Sequence, residues 1–308
     1  MRALITGGAG FIGSHIVRRF LSNGYDVTIL DSLEETSDLK RLGVIPSSTR
    51  LIKERIENVT DLPKVDLVIN SAAETHVDYS FERPMDFINA NIIGLHNLAK
   101  HCSENNIPLI HLSTDEVIGT GEDLHEDSML KPTNPYAFTK CAGENLLHSY
   151  GYSYGLNWKV VRLNNIYGLW QFPDKLIPKF IYHIEDGEKV PIHGNGLQTR
   201  NFLNVEDFVD ALELVWLKGK DKNIYNVSTA EEYPIIDVTK MICDVMDVSF
   251  KDSIEYVEDR LFNDPCYHSK GGKIRKLGWK PKHTLKSYLP TLVKWYTNNR
   301  NYFLERNK

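Results

Sequence analysis

The stretch Ile5–Ile16, which reads ITGGAGFIGSHI, decides the fold of this 308-residue chain. It begins at the end of a short apolar run and opens a segment whose apolar residues repeat with helical periodicity as far as Asn23. Gly7, Gly10 and Gly13 recur at every third position between the two. Glycines at this spacing allow a tight turn and let backbone N–H groups approach a pyrophosphate at a helix N-terminus. The stretch therefore predicts a first strand–turn–helix unit that binds a dinucleotide.

Strand and helix patterns alternate through the rest of the first half of the chain. Such alternation predicts a parallel sheet covered by helices on both faces, so we expect an α/β protein with a Rossmann-type doubly wound sheet. The connection between the third and fourth strands is short and contains Pro63, which predicts a loop or a single turn there. The predicted strands are Arg2–Thr6, Asp26–Leu30, Leu51–Lys53, Leu67–Asn70, Leu109–Leu112 and Lys159–Leu163. The predicted helices are Ile12–Asn23, Pro84–Glu104 and Pro135–Tyr150.

The pattern loosens after Asn165, where shorter strands, Gly-rich turns and helices follow one another. We expect residues 1–165 to form a dinucleotide-binding domain that carries the catalytic residues. Residues 166–308 are expected to form a smaller mixed α/β domain, with an interleaved boundary and no flexible linker between the two. Either Asn204 or Asp207 is expected to cap one helix of this region.

The composition argues against several classes of protein. The net charge is −5 and the sequence pI is about 6.1, and no basic cluster suits nucleic acid or an anionic membrane surface. No apolar run is long enough to cross a bilayer, and the first residues lack the apolar core of a signal peptide. The four cysteines are far apart, which argues against a disulfide framework or a zinc site. We therefore expect a cytoplasmic protein without a metal ion, a nucleic-acid partner or a membrane partner.

One acidic residue predicts the type of dinucleotide. Asp31 stands at the end of the second strand, eighteen residues after Gly13. An acid at this place binds the ribose 2′-hydroxyl of NAD and repels the 2′-phosphate of NADP. The predicted cofactor is therefore NAD.

Two groups of residues predict proton chemistry. Thr114, Asp115 and Glu116 stand side by side at the end of the fifth predicted strand. Adjacent carboxyl groups near a low-dielectric core repel each other, so the two do not easily ionise together. Tyr136 and Lys140 lie four residues apart on one face of a predicted helix. Because a nearby ammonium group favours the phenolate, we expect this pair to form a base near neutral pH.

These motifs resemble the extended short-chain dehydrogenase/reductase family. The resemblance rests on TGGAGFIG, on Tyr136-x-x-x-Lys140 and on the strand-end pair Ser113–Thr114. Four further stretches resemble the nucleotide-sugar 4,6-dehydratases, the group of dTDP-glucose and UDP-glucose 4,6-dehydratases: STDEV, AAETHVDYSF, QFPDKLIPKFI and RNFLNVEDF. The similarity extends from Ala3 to about Pro281.

The resemblance implies a role for each catalytic residue. Tyr136 takes the proton of the sugar 4-hydroxyl while hydride leaves C4 for the nicotinamide, and Thr114 hydrogen-bonds the same oxygen. Glu116 then removes the proton at C5, and Asp115 donates a proton to the departing 6-hydroxyl. Hydride returns to C6, so no external reductant is needed.

The resemblance also implies which residues bind the two ligands. Those expected to bind the cofactor are Gly7, Gly10, Phe11, Ile12, Gly13, Asp31, Ile56, Ala72, Tyr136 and Lys140. Residues 166–308 are expected to bind the nucleotide-diphosphate sugar. The expected substrate contacts are Asn165, Lys175, Leu176, Pro191, His193, Arg200, Asn226 and Arg260. A homodimer formed through Pro84–Glu104 and the helix that bears Tyr136 is implied as well.

The sequence leaves the identity of the sugar open. UDP-glucose, dTDP-glucose and UDP-N-acetylglucosamine are all candidates, as is a dehydratase that also epimerises C5. Ile118 and the pair Leu169–Trp170 depart from the family pattern, and we expect them to shape the sugar pocket. A nucleotide-sugar 4-epimerase is a further alternative, which the two acids argue against. A non-catalytic regulator that senses dinucleotide is another, which the intact catalytic set argues against.

Overall fold

The computed structural model describes residues 1–121, 123–259 and 269–304. Within these residues, seven parallel strands form the main sheet in the order β10-β6-β5-β4-β1-β2-β3. The strand order reverses between β1 and β4, and ligands bind at such a switch point, beyond the carboxyl ends of the strands. The strands are β1 Arg2–Thr6, β2 Asp26–Asp31, β3 Arg50–Lys53, β4 Leu67–Asn70, β5 Leu109–Thr114, β6 Trp158–Leu163 and β10 Asn223–Val227.

Helices cover both faces of this sheet and bury it in two apolar clusters. One cluster joins the strands to α1 and α7, and the other joins them to α4 and α5. Burial on both faces explains why β4 and β5 read as continuous apolar runs in the sequence. The helices of this layer are α1 Phe11–Ser22, α2 Val77–Glu82, α3 Pro84–Ile88, α4 Leu95–Asn105, α5 Pro135–Ser153, α7 Val205–Lys218 and α9 Gly272–Lys276.

The prediction of one continuous helix over Pro84–Glu104 was wrong at Asn89–Gly94. The structure inserts a π-helical turn, Asn89–Gly94, between α3 and α4. The cause is tertiary: the Asn91 side chain accepts from the backbone N–H of Glu74 at 2.9 Å and donates to its carbonyl at 3.0 Å. Widened turns of this kind recur at functional sites, and apolar periodicity does not reveal them.

The second layer is smaller and has its own apolar core. Its strands form a three-stranded sheet, β11-β9-β7, and a two-stranded pair, β12-β8. They are β7 Asn165–Tyr167, β8 Val190–His193, β9 Thr199–Asn204, β11 Glu232–Pro234 and β12 Ile254–Val257. The helices are α6 Leu176–Glu185, α8 Ile235–Val245, α10 Leu285–Asn298 and α11 Arg300–Leu304.

The chain returns to the first layer after residue 165. Strand β10 pairs with β6 at the edge of the main sheet, and α7 packs against α1. Asn204 caps α7, because its Oδ1 accepts from the N–H of Glu206 at 2.9 Å. Asp207, the other predicted cap, lies inside the first turn, where its Oδ2 accepts from the N–H groups of Lys282 and His283 at 2.9 and 2.8 Å. In the described ranges, no helix is long and apolar enough to cross a membrane.

Candidate active site

The turn between β1 and α1 is shaped for close approach of a ligand backbone. Gly7 has φ +63°, and a Cβ on it would lie 2.9 Å from Cα of Ala72. A Cβ on Gly13 would lie only 2.0 Å from the carbonyl oxygen of Gly7, so only glycine fits there. Gly10 is the N-cap of α1 and brings no side-chain cap, so the first-turn amides, including those of Phe11 and Ile12, suit an anion. This turn fits the pyrophosphate of a dinucleotide.

The end of β2 supplies the ribose side of the same site. Asp31 is buried, and its two oxygens accept from the N–H groups of Ala9 at 2.9 Å and Leu33 at 2.8 Å. Each carboxylate oxygen has further acceptor capacity, so Asp31 fits the ribose hydroxyls of NAD. Ala72 lies against Gly7, whereas the Ile56 side chain is buried against Gly94, and the cofactor contact of Ile56 stays a prediction.

The five predicted catalytic residues meet where β5 ends and α5 begins. Thr114 is the last residue of β5, and its Oγ1 accepts from the N–H of Glu116 at 3.3 Å, which starts the 3₁₀ turn Asp115–Ile118. Tyr136 and Lys140 are buried in the first turns of α5. The Thr114 hydroxyl hydrogen-bonds the phenol of Tyr136, and the charges of both acids act on that phenol.

Burial gives these groups unusual proton affinities. Asp115 is 8 % exposed, and burial together with the nearby charge of Glu116 raises its pKa to about 7. Burial lowers the pKa of Lys140 to about 7, against the opposing effect of the Glu144 carboxylate. The site therefore offers an acid that still holds its proton near neutral pH beside a second carboxyl group.

The activation of Tyr136 by Lys140 to a base near neutral pH stays a prediction, and burial opposes it. Burial, then the negative charge of Glu116, raises the pKa of Tyr136 well above its ordinary value, and the hydrogen bond from Thr114 opposes this only in part. The sequence argument counted the ammonium group and left out desolvation, which disfavours a buried phenolate. Proton removal from Tyr136 therefore needs additional positive charge in the site.

A buried ion pair links the elements that carry the catalytic residues. Arg162 on β6 donates to both carboxylate oxygens of Glu144 on α5, at 2.9 and 2.7 Å. Ser113, next to the catalytic threonine, donates to the same carboxylate at 2.6 Å. This network ties β5, β6 and α5 together at the point where the catalytic residues emerge.

Two asparagines beside the acids were missed by the sequence reasoning. Asn134 caps α5 and also donates from Nδ2 to Oε2 of Glu116 at 2.8 Å. Its place directly before a proline and the catalytic helix was a usable signal for a cap. Asn164 donates from Nδ2 to Oδ2 of Asp115 at 2.6 Å, and nothing local in the sequence indicates that contact.

The predicted substrate residues lie mainly on the second layer. Lys175 precedes α6, with its ammonium nitrogen 3.0 Å from a carboxylate oxygen of Asp174, and Leu176 begins that helix. Arg200 lies on β9, close enough for its charge to lower the pKa of Asp115, and Asn165 is exposed on β7. These positions suit an anionic ligand that crosses from the acids to the second layer.

Other predicted contacts lie less close to the acids. Pro191 and His193 are on β8, and Nδ1 of His193 lies 3.1 Å from the carbonyl oxygen of Glu258. Asn226 is fully buried in β10, with its amide directed at the carbonyl of Lys270 at 3.3 Å, so the predicted nucleotide contact of its side chain is not supported. Arg260 lies outside the described residues.

The two departures expected to shape the sugar pocket also face elsewhere. Ile118 is 1 % exposed and packs inward from the turn after the acids. The ring of Trp170 meets Trp295 and Tyr302 edge to face, with centroids 4.8 and 5.1 Å apart. The departure from the family pattern does not indicate the direction of either side chain.

The fold and the site together define an NAD-dependent enzyme of the short-chain dehydrogenase/reductase type. A family model described as NAD dependent epimerase/dehydratase family matches residues 3–228. The trifunctional UDP-glucose 4,6-dehydratase/UDP-4-keto-6-deoxy-D-glucose 3,5-epimerase/UDP-4-keto-L-rhamnose-reductase RHM2 of Arabidopsis thaliana is 41 % identical, with 96 % of this chain and 47 % of that protein covered. The chain thus spans about half the length of this relative.

Two further relatives match over most of their own length. The dTDP-D-glucose 4,6-dehydratase of Homo sapiens is 37 % identical, with 97 % of this chain and 90 % of that protein covered. The crystal structure of the dTDP-glucose 4,6-dehydratase from Streptomyces venezuelae with NAD bound is 32 % identical, with a TM-score of 0.94 over 99 % of this chain and 100 % of the other. The chain therefore belongs to the NAD-dependent epimerase/dehydratase family.

Proposed function

We propose that the protein is an NAD-dependent nucleotide-sugar 4,6-dehydratase, which converts a nucleoside-diphosphate hexose to its 4-keto-6-deoxy product with loss of water. The observation that carries the proposal is the buried pair Asp115 and Glu116 beside Tyr136. Elimination across two adjacent carbons needs one neutral acid and one ionised base in the same site, and burial divides this pair in that way.

Each of the four residues at the end of β5 and the start of α5 has its own role in the proposed reaction. Tyr136 accepts the proton of the 4-hydroxyl, while Thr114 binds the same oxygen. NAD, when bound, supplies the hydride acceptor and later the hydride donor, and its cationic ring adds positive charge to the site. Glu116 removes the proton at C5, which the neighbouring ketone has made acidic. Asp115 gives its proton to the leaving 6-hydroxyl, which departs as water.

The proton balance requires neither an external base nor an external reductant. Glu116 returns its proton to C5 when hydride adds to C6, and the proton that Tyr136 took from the 4-hydroxyl replaces the one that Asp115 gave to the departing water. Hydride removed from C4 returns to C6, so the substrate loses one water and is otherwise rearranged. Both acids lie within one turn, which matches the adjacency of C5 and C6 in the sugar.

We propose a UDP- or dTDP-hexose as the substrate. Arg200 and Lys175 provide two cations near the site, which suit a diphosphate. The names of the relatives support both nucleotides, since one carries UDP-glucose and another dTDP-glucose. The sugar itself follows from the test below.

Mass spectrometry tests this function directly. The purified protein with its NAD is incubated with UDP-glucose, dTDP-glucose or UDP-N-acetylglucosamine in separate reactions, without added reductant. We expect one of the three to lose a single water. An unchanged mass in all three would contradict the proposal, and NMR of the product in heavy water would show whether C5 is also epimerised.

We further propose a homodimer that works in the cytoplasm. Helices α2, α3 and α5 pack against one another and carry exposed apolar side chains, among them Phe81, Met85 and Phe138. Such a patch on neighbouring helices suits a second copy of the chain. Light scattering should give twice the chain mass, and Phe138→Asp should shift it to the monomer. A wild-type mass equal to one chain would contradict the dimer.

A further inference from the structure

Two asparagines each bind one oxygen of one catalytic acid. Nδ2 of Asn134 donates to Oε2 of Glu116 at 2.8 Å, and Nδ2 of Asn164 donates to Oδ2 of Asp115 at 2.6 Å. Both asparagines are nearly fully buried, at 5 % and 6 % exposure, so neither contact is screened by solvent. The two amides therefore act directly on the groups that exchange protons.

The orientation of the Asn134 amide is fixed by the helix that it caps. Its Oδ1 accepts from the N–H of Ala137 at 2.8 Å, so its amino group must be the end that faces Glu116. A donor directed at a carboxyl oxygen favours the ionised form of that carboxyl group. The start of the catalytic helix thus also holds the base in its reactive form.

The contact of Asn164 decides where Asp115 carries its proton. An amino group that donates to Oδ2 excludes a proton from that oxygen. The same contact favours the ionised form of Asp115, but burial and the charge of Glu116 outweigh it and raise the pKa of Asp115. The proton of the neutral acid then belongs on Oδ1, which lies 3.4 Å from the hydroxyl oxygen of Thr114. Thr114 is the residue proposed to bind the sugar 4-oxygen, so Oδ1 lies beside the expected position of the sugar.

We propose that Asn134 and Asn164 are positioning residues that divide the work of the two acids: Asn134 holds Glu116 as the ionised base, and Asn164 keeps the proton of Asp115 on Oδ1. This inference rests on the proposed dehydratase function. Neither asparagine touches the reacting atoms; each acts through the acid that it binds.

Three charged or titratable groups lie around Asp115, the proposed proton donor, on the surrounding elements. Glu116 lies on the same turn, Tyr136 on α5 and Arg200 on β9. None of the three is altered when an asparagine becomes aspartate. The same change can therefore be made on either side of the pair, with each acid serving as the control for the other.

The test replaces each asparagine by the residue of the same shape that cannot donate. Asn134→Asp keeps the helix cap, because aspartate caps as well as asparagine, but turns a carboxylate towards Glu116. We expect the acid limb of the pH profile for water loss to move to higher pH by about one pH unit or more, with the alkaline limb in place. Asn164→Asp should move the alkaline limb upward by a similar factor and leave the acid limb in place.

Water loss is measured in a single turnover by mass spectrometry, and hydride transfer is followed separately at the absorbance of the reduced cofactor. Asn134→Ser and Asn164→Leu are the controls, since they remove the donor without adding charge. Serine retains the cap, and it should slow water loss with a smaller shift of the acid limb. Leucine should slow water loss more than hydride transfer.

Two results would overturn the inference. One is a lower rate with neither limb moved, which is what a purely structural role predicts. The other is a shift of the opposite limb in either variant. If the wild type removes water from none of the three sugars, the proposed function fails. The carboxyl titrations of Glu116 and Asp115, followed by ¹³C NMR in the unliganded protein, then decide the inference. Unchanged midpoints in the aspartate variants would refute it.

Discussion

Replacing Glu116 by glutamine separates the two halves of the proposed reaction. Glutamine has the shape of glutamate, and its carbonyl oxygen can still accept from Nδ2 of Asn134, so the turn and the helix cap should persist. What is lost is the group that removes the proton at C5. A positioned general base contributes about 10²- to 10⁴-fold to a proton transfer, or about 3 to 5 kcal/mol of the barrier. We expect Glu116→Gln to slow water loss by that factor while NAD binding is retained.

The same substitution should make the first half of the reaction easier. The charge of Glu116 is the second cause, after burial, of the raised pKa of Tyr136. Removal of that charge lowers the pKa, so the phenol gives up its proton at lower pH and hydride transfer should begin at lower pH than in the wild type.

A single turnover with UDP-glucose, followed both at the absorbance of the reduced cofactor and by mass spectrometry, measures the two halves. We expect the reduced cofactor to persist in the variant, because the return of hydride must wait for elimination. NAD content, released by denaturation and compared with wild type, is the control for binding. Water loss at the wild-type rate would show that Glu116 is not the base.

Three further outcomes follow from contacts around the site. Arg162→Met removes both guanidinium hydrogen bonds from the buried Glu144 carboxylate, which should lower the free energy of unfolding by about 3 to 5 kcal/mol in urea titrations. A loss under about 1 kcal/mol would contradict this expectation. Gly13→Ala places a Cβ 2.0 Å from the carbonyl oxygen of Gly7, so the purified variant should contain almost no NAD. A wild-type NAD content would refute the assignment of this turn as the pyrophosphate site. Water loss should decline as the pH rises past about 7, since Asp115 then loses its proton. A rate that stays level to about pH 9 would refute that assignment.

The main sheet could be predicted from the sequence because its signals are local. Arg2–Thr6 and Leu67–Asn70 have the same bounds in the pattern and in the structure, and Leu109–Leu112 extends by two residues to the catalytic threonine. Each is an apolar run buried on both faces, and each stands beside a helix of clear periodicity. The glycine spacing lies within seven residues, Gly7–Gly13, so the dinucleotide-binding turn can be predicted without the rest of the chain.

The parts that could not be predicted depend on partners distant in the sequence. The π turn in the predicted helix Pro84–Glu104 follows from a contact between Asn91 and Glu74. The proton affinity of Tyr136 follows from burial, which its helical neighbour Lys140 does not report. Asn226 is expected near the nucleotide from the family resemblance, and the burial of its side chain follows from packing against α9 and the backbone at Gly271, which the local sequence does not indicate.

The link between fold and chemistry is clearest in the register of two neighbouring strands. Strands β5 and β6 are parallel, with Thr114 opposite Leu163, so the next residues along each strand, Asp115 and Asn164, meet at the carboxyl edge of the sheet. A slip of one residue would bring Leu163 or Asn165 to the acid and turn every strand side chain to the other face. The ion pair of Arg162 with Glu144 holds that register from within the core. The Glu144 carboxylate also accepts from Ser113. The stability of the core and the placement of Asp115 therefore depend on the same hydrogen-bond network. The Arg162–Glu144 ion pair therefore affects the reaction without touching the substrate, because the register that it stabilises places Asn164 against Asp115.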